Sequence, residues 1–254
     1  MIIPRLVIAS LLTSTLAAQT VLFEDNFNSY TVDEPISSPW GSVTPNPSVA
    51  DAKLEVVQDT SDLFGQGTSN QVLHVLDQSD TERTRGDIRD LSFDVATLTF
   101  DFYEVAGVTG TPFRIGIGLN SSSYTSTAFL INLQDGNPGS YTQDAVHKIQ
   151  IVVNTSASGV DYYQSNNVAS LTYDLWIDGV LVTDNGGLSD GSTIAAGTDL
   201  TAFRFTTDTG GLSQEMYIDN LKLYDGAFIP EPSTWGLAGI FALLGIVLHK
   251  RRAR

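Results

Sequence analysis

The chain has 254 residues, no cysteine and a formal net charge of −16 at pH 7. The lack of cysteine excludes disulfides, Cys/His zinc sites and a cysteine nucleophile. An acidic chain does not offer the broad basic surfaces that nucleic acids and anionic lipids need, so we expect no nucleic-acid partner.

The N-terminus predicts a secretory signal peptide over residues 1–18. Arg5 is the only charge in the first 23 residues, residues 6–16 are mostly apolar, and Ala17 and Ala18 follow. This order is that of the n-, h- and c-regions of a signal peptide. Signal peptidase is expected to cut after Ala18, with cleavage after Ala17 as the alternative.

The C-terminus has three consecutive parts. Pro230-Glu231-Pro232 is a stiff tripeptide that interrupts regular structure, because proline fixes φ and lacks an N–H. Residues 235–248 are uncharged and predict a short helix of roughly 21 Å, less than the roughly 30 Å hydrocarbon core of a membrane. The basic residues Lys250, Arg251, Arg252 and Arg254 close the chain. Length alone allows a buried core helix, whereas the basic end favours a membrane helix with a cytoplasmic C-terminus.

This tail resembles the PEP-CTERM sorting signal of Gram-negative bacteria. The resemblance covers residues 229–254 and implies that an exosortase recognises Pro230-Glu231-Pro232. It further implies that the chain is anchored transiently in the inner membrane and that the helix is then removed. The protein would be delivered to the cell surface or extracellular matrix. Residues 19–228 would then form the exported domain. Residues 19–229 keep 8 of the 13 Lys and Arg and 28 of the 29 Asp and Glu, a net charge of −20.

The sequence of the exported domain predicts an all-β fold. Apolar residues alternate with polar ones, and Gly, Ser, Asn and Asp cluster between these segments. Asp178-Gly179 predicts a type I′ hairpin turn. Ten strands are predicted, over residues 53–57, 71–76, 96–105, 113–119, 128–133, 146–154, 171–177, 180–183, 200–207 and 215–224. Short strands with turns between them are typical of an antiparallel β-sandwich or jelly roll.

Three segments resemble concanavalin A-like (laminin G-like) jelly rolls of exported bacterial proteins. Residues 23–30 (FEDNFNSY) are similar to their first strand, 173–182 (YDLWIDGVLV) to their Asp-Gly hairpin, and 217–223 (YIDNLKL) to their closing strand. The resemblance implies the fold and leaves the ligand open. In similar sandwiches a calcium ion often joins the first and last strands. That resemblance nominates Asp25 and Asp219, with Glu24 and Asn26, and solvated surface acids are the alternative.

Catalytic patterns are missing from the sequence. Glycosidases that resemble the laminarinase type need Glu-x-Asp-x-x-Glu on one strand, which the chain lacks. The pairs Asp101/Glu104 and Glu215/Asp219 are three and four residues apart and do not reproduce that motif. We therefore expect no enzyme, with a polysaccharide-degrading enzyme as the alternative.

Strand alternation selects three residues for glycan binding. Trp176, Tyr103 and Arg204 each lie on the polar side of a predicted strand. If these strands are neighbours, the three side chains would form an exposed patch on which a sugar could stack. The alternative is that a loop covers Trp176. Arg85-Gly86-Asp87 is interpreted as a chance surface loop. The sequence thus predicts a non-catalytic surface or matrix protein that binds extracellular polysaccharide, with a structural matrix protein without a ligand as a further alternative.

Overall fold

The computed structural model describes residues 19–44, 51–79, 83–107, 113–119, 127–133, 141–207 and 213–228. The predicted signal peptide and the predicted C-terminal segment lie outside these ranges. The described residues form two large antiparallel sheets and one two-stranded ribbon. None of their helical turns approaches the length and apolarity of a membrane span.

The larger sheet has nine strands within the described ranges. They are β1 (Val21–Asp25), β2 (Glu34–Pro35), β4 (Ala52–Gln58), β5 (Gln71–Asp77), β7 (Val95–Glu104), β10 (Val146–Asn154), β13 (Thr172–Ile177), β14 (Val180–Gly186) and β16 (Gln214–Asp225). Their order is β14-β13-β10-β7-β16-β5-β4-β2, and β1 pairs with the second half of β16.

The smaller sheet has five strands in the part of the chain that the structure describes. They are β3 (Trp40–Thr44), β6 (Arg85–Ile88), β8 (Phe113–Gly118), β9 (Thr127–Leu133) and β15 (Ala202–Thr206), in the order β3-β6-β15-β8-β9. A separate ribbon pairs β11 (Val160–Asp161) with β12 (Asn167–Val168) around a 3-10 turn at Tyr163–Ser165.

Aromatic contacts join the two sheets in the core. The Phe100 ring of β7 lies 5.3 Å from Phe205 of β15, and Phe102 lies 5.7 Å from Phe113 of β8. All four side chains are at most 1% exposed. Each aromatic pair adds about 0.5–1.5 kcal/mol beyond the burial of its area. The inner faces of the two sheets therefore form one core, and the sandwich prediction is confirmed.

Each of the ten predicted strands corresponds to an observed strand whose ends differ by at most three residues. Asp178 and Gly179 have φ of 53° and 78°, as the predicted type I′ turn requires. Leu119, the last residue of the predicted strand 113–119, follows the end of β8 and is 37% exposed.

Strand β6 escaped prediction because Arg85-Gly86-Asp87 consists of poor strand formers. Its interpretation as a surface loop is wrong, since β6 pairs with β3 on one side and β15 on the other. A Cβ on Gly86 would lie 2.5 Å from Leu54 of the opposite sheet, so glycine permits a close approach of the two layers.

Candidate functional site

The lysines and the arginines of the domain lie on different sheets. Lys53, Lys148 and Lys222 lie on strands of the larger sheet. The arginines of residues 19–228 lie on or beside the smaller sheet, namely Arg83, Arg85, Arg89, Arg114 and Arg204. The strands of the larger sheet carry twelve carboxylates, whereas those of the smaller sheet carry one, at Asp87. An arginine-rich surface thus exists within a strongly acidic domain.

Strand alternation turns these arginines outward. Phe203 and Phe205 of β15 are each 1% exposed in the core, so Arg204 between them faces away from it. In β8, Phe113 and Ile115 are fully buried, and Arg114 lies between them on the outer side. The outer surface that carries Arg85, Asp87, Arg89, Arg114 and Arg204 is called the arginine face.

Asp87 is the centre of the arginine face. Its Oδ1 lies 2.7 Å from Nε of Arg204 and 3.7 Å from Nε of Arg85, and its Oδ2 lies 2.7 Å from Nη2 of Arg89. Asp87 is 1% exposed and Arg204 is 8% exposed. Three guanidinium groups therefore contact one carboxylate at the centre of the face.

The remaining arginine extends the face across the sheet. Thr206 of β15 pairs with Arg85 on one neighbouring strand and Arg114 on the other. Because neighbouring strands lie about 4.8 Å apart, the backbones of Arg85 and Arg114 are roughly 10 Å apart. Guanidinium groups bind carboxylate, sulfate and phosphate through paired hydrogen bonds. The face thus offers several anion-binding groups along one line.

The arginine face is shallow. Beside Arg204, Gly116 and Gly118 border a depression of about 10 Å³, room for about one water molecule. A small molecule is usually enclosed by a concave pocket, whereas a shallow charged strip suits an extended polymer.

Trp176 does not form the predicted platform. It is 4% exposed, and the rings of Tyr162 and Tyr163 pack edge-on against it at 6.3 and 6.0 Å. These tyrosines belong to the segment around β11 and β12, which covers the outer face of β13. The prediction that Trp176 is exposed is wrong, and its alternative of a covered tryptophan is the observed one.

A hydrogen-bonded chain completes this covered cluster. Trp176 Nε1 donates to the Tyr162 hydroxyl at 2.9 Å, and that hydroxyl donates to Oδ2 of Asp174 at 2.5 Å. Burial is the largest cause that raises the pKa of Asp174 and that of Tyr162. The role of Trp176 in this arrangement is structural.

Arg204 and Tyr103 do not meet Trp176 in one patch. Arg204 lies on the smaller sheet, whereas Tyr103 and Trp176 lie on β7 and β13 of the larger sheet. Tyr103 is instead aligned with Tyr217 of β16 and His74 of β5, and these three aligned rings are called the tyrosine row. The Tyr103 hydroxyl donates to Asp144 at 3.1 Å, and burial raises the pKa of Tyr103.

Asp25, the first predicted calcium ligand, faces the core. It pairs with Leu221, which is fully buried, and cross-strand partners share a face. Its Oδ1 accepts the backbone N–H of Phe27 at 2.9 Å. Its Oδ2 accepts the Tyr30 hydroxyl at 2.7 Å and Trp40 Nε1 at 3.1 Å.

Asp219, the second predicted ligand, lies on the outer face. It pairs with Asp101, and its Oδ2 accepts the side-chain amides of Gln66 and Asn70, each at 2.8 Å. Burial raises the pKa of Asp219. Its carboxylate and that of Asp25 therefore lie on opposite sides of the sheet.

The structure therefore does not bring Asp25 and Asp219 together on one face of the sheet, as the predicted calcium site would need. Of the other two nominated residues, Glu24 lies 3.5 Å from Lys222 and Asn26 accepts the N–H of Asn28 at 3.3 Å. Over the described ranges, no three His, Asp or Glu side chains are grouped so that they could hold a metal ion.

Comparisons with known proteins identify the C-terminal segment. Residues 228–252 match the PEP-CTERM protein-sorting motif, so this prediction is confirmed. The motif implies processing by an exosortase and a place at the cell surface or outside the cell. No curated protein matches the chain.

Several solved structures resemble the fold at low identity. The T. cruzi calreticulin globular domain is 12% identical, with a TM-score of 0.49 over 91% of this chain and 100% of that one. The Emp47p carbohydrate recognition domain is 9% identical, with a TM-score of 0.42 over 77% and 92%. Alginate lyase vAL-1 from Chlorella virus is 14% identical, with a TM-score of 0.38 over 63% and 87%. These similarities carry no argument about a ligand.

Proposed function

We propose that this protein is a non-catalytic surface or matrix component that binds anionic extracellular polysaccharide through its arginine face. The observation that carries the proposal is the concentration of Arg83, Arg85, Arg89, Arg114 and Arg204 on or beside one sheet of an acidic domain. Uronate and sulfate groups are the chemistry that guanidinium forks bind in pairs. The negative net charge of the domain repels polyanions in general. Binding therefore depends on how well the anionic groups of a particular polysaccharide match the arginine face.

The members of the arginine face have different roles in this proposal. Arg204 and Asp87 are nearly buried and hold the centre in place. The side chains of Arg85 and Arg89 are 17% and 31% exposed and contact the polymer. Arg114 extends the contact to the neighbouring strand β8.

The proposed route to the cell exterior has two processing steps. Signal peptidase removes residues 1–18 during export across the inner membrane of a Gram-negative cell. The helix at 235–248, with Lys250, Arg251, Arg252 and Arg254 on its cytoplasmic side, then holds the chain in the inner membrane. Exosortase recognises Pro230-Glu231-Pro232 and removes that helix.

Affinity electrophoresis of the full chain in an uncharged detergent tests the binding. The gels contain alginate, a sulfated galactan or neutral dextran, and we expect retardation by the first two alone. Replacing Arg85 and Arg89 by Gln should weaken binding at least tenfold. A charge-assisted hydrogen bond contributes about 1.5–3 kcal/mol, and about 1.4 kcal/mol is a factor of ten.

Two lysines of the other sheet supply a matched control. Replacing Lys148 and Lys222 by Gln removes the same charge from side chains that are 56% and 40% exposed. This variant should bind like the wild type. Equal weakening in both double variants would show a net-charge effect and contradict the proposal. No retardation of the wild type by any anionic polymer would favour a structural matrix protein without a ligand.

A further inference from the structure

The outer face of the larger sheet carries a second cluster of functional side chains. In the tyrosine row, Tyr103 pairs with Tyr217, Tyr217 pairs with His74, and His74 pairs with Glu55 of β4. The rings of His74 and Tyr217 stack at 4.9 Å with an angle of 14° between their planes. This face lies across the sandwich from the arginine face.

Two carboxylates fix the His74 ring. Its Nδ1 lies 3.3 Å from Oε1 of Glu55, and its Nε2 lies 3.2 Å from Oε1 of Glu215. The Tyr217 hydroxyl donates to the same Glu215 oxygen at 2.7 Å. The orientation of these side chains is therefore set before any ligand arrives.

Each carboxylate keeps its second oxygen available. Within the described part of the chain, Oε2 of Glu55 and Oε2 of Glu215 have no hydrogen-bond or ion-pair partner. Glu55 is only 9% exposed, yet it lines a cleft beside the sheet. A hydroxyl that donates to a carboxylate oxygen forms a charge-assisted hydrogen bond, which is stronger than one between neutral groups.

The loop after β4 forms the other wall of this cleft. Asp59 holds the loop, since its two carboxylate oxygens accept the N–H groups of Leu63 at 2.9 Å and Phe64 at 3.2 Å. The cleft has a volume of about 260 Å³, slightly below the roughly 300–1,000 Å³ of most small-molecule sites, and so suits a single sugar ring. Apolar and polar residues share the lining, namely Val57, Leu63, Val72, Gln58, Thr60, Ser61 and Tyr217.

We infer that this cleft binds an uncharged sugar residue, so that one domain holds two different polysaccharides on opposite faces. A sugar hydroxyl would donate to Oε2 of Glu55, which lines the cleft, and the apolar wall would contact the C–H groups of the ring. The negative charges of Glu55, Glu215 and Asp59 repel an anionic sugar. The Nζ atom of Lys53 lies 3.4 Å from Oε1 of Glu55, and its positive charge weakens the attraction of the cleft for a cationic sugar. Binding of an uncharged sugar in the cleft is independent of anion binding by the arginine face, whereas the holding of two polysaccharides rests on the function proposed above.

Saturation-transfer NMR and affinity electrophoresis of the full chain in an uncharged detergent test this site. The probes are a neutral β-1,3-glucan, a mannan and a galactan, with alginate for comparison. We expect at least one neutral polymer to bind. Replacement of Glu55 by Gln, or of exposed Ser61 by Trp to fill the cleft, should weaken that binding at least tenfold. Alginate binding should remain unchanged in both variants.

Two further variants show whether neutral binding depends on the cleft itself. Ser158→Trp places the same bulk at an exposed position outside the cleft and should bind neutral polymer like the wild type. Replacing Arg85 and Arg89 by Gln should also leave neutral binding intact, whatever happens to alginate binding. Absence of neutral binding by the wild type would overturn the inference. Neutral binding that survives both Glu55→Gln and Ser61→Trp would overturn it as well.

Discussion

Arg204 and Asp87 face each other across strands β15 and β6, with Nε and Oδ1 2.7 Å apart and both residues at most 8% exposed. An ion pair this deep on the outer side of a sheet is unusual, because a β-sandwich normally presents solvated polar groups there. Asp87 also contacts Arg85 and Arg89, so the pair organises the whole arginine face.

Asp87→Asn tests this organising role through stability. We expect the free energy of unfolding to fall by about 3–5 kcal/mol, because the buried guanidinium of Arg204 loses its counter-charge. Urea unfolding measures the change. The control Glu24→Gln breaks the exposed pair with Lys222 and should cost at most about 1 kcal/mol. A similar small cost for Asp87→Asn would contradict the organising role.

Trp176→Phe separates packing from ligand binding. Because Trp176 is covered by Tyr162 and Tyr163, the smaller ring should destabilise the fold by about 1–3 kcal/mol through lost packing and a lost hydrogen bond. Affinity for alginate should stay within twofold of the wild type. A selective loss of polysaccharide binding in a variant of unchanged stability would restore Trp176 as a binding residue.

Asp174→Asn tests the electrostatic cost of burial. Burial raises the pKa of Asp174 above its ordinary 3.8, although its hydrogen bonds with Tyr162 and Asn185 act in the other direction. Such a carboxyl contributes stability that is fully present below 3.8 and is lost as the pH rises through its folded-state pKa.

Asparagine does not titrate, so this loss should be absent from Asp174→Asn. The unfolding free energy of the variant minus that of the wild type should therefore increase between about pH 4 and pH 7. Urea unfolding over this range measures the difference. A decrease with rising pH would contradict the assigned direction.

Asp25→Asn tests whether this carboxylate is a hydrogen-bond acceptor or a calcium ligand. The amide loses part of the acceptor capacity used by Phe27, Tyr30 and Trp40, so stability should fall by about 1–3 kcal/mol. The loss should be the same with calcium and with EDTA. A loss seen only with calcium present would identify Asp25 as a calcium ligand.

Incubation with polysaccharides tests the non-catalytic proposal. The full chain should release no reducing ends or unsaturated products from alginate, sulfated galactan or the neutral glucans. A release that Glu55→Gln abolishes would show that the carboxylates around His74 are catalytic and would overturn the proposal.

The sequence predicted the fold well because a half-exposed strand leaves a clear period of two. Leu98, Phe100 and Phe102 alternate along the predicted strand 96–105, and all three are buried. Strand β6 was missed since its stability comes from pairing with β3 and β15 and from the Asp87 ion pairs, which are long-range interactions.

The candidate site was predicted only in part for a related reason. Alternation places Trp176, Tyr103 and Arg204 on outer faces, but it does not say which sheet each strand joins or what covers it. Both answers depend on tertiary structure. The ribbon of β11 and β12 covers Trp176, and β15 belongs to the smaller sheet. A separation of arginines from lysines between the predicted strands was the available signal for the arginine face.

The most direct test of polysaccharide binding by the arginine face is the retardation of the full chain by alginate gels at two salt concentrations. We predict that wild type and the Lys148/Lys222 double Gln variant are retarded equally at low salt, and less at high salt, since salt screens exposed charges. The Arg85/Arg89 double Gln variant should migrate as in a gel without polymer. Equal retardation of all three proteins would contradict the assignment of polysaccharide binding to the arginine face.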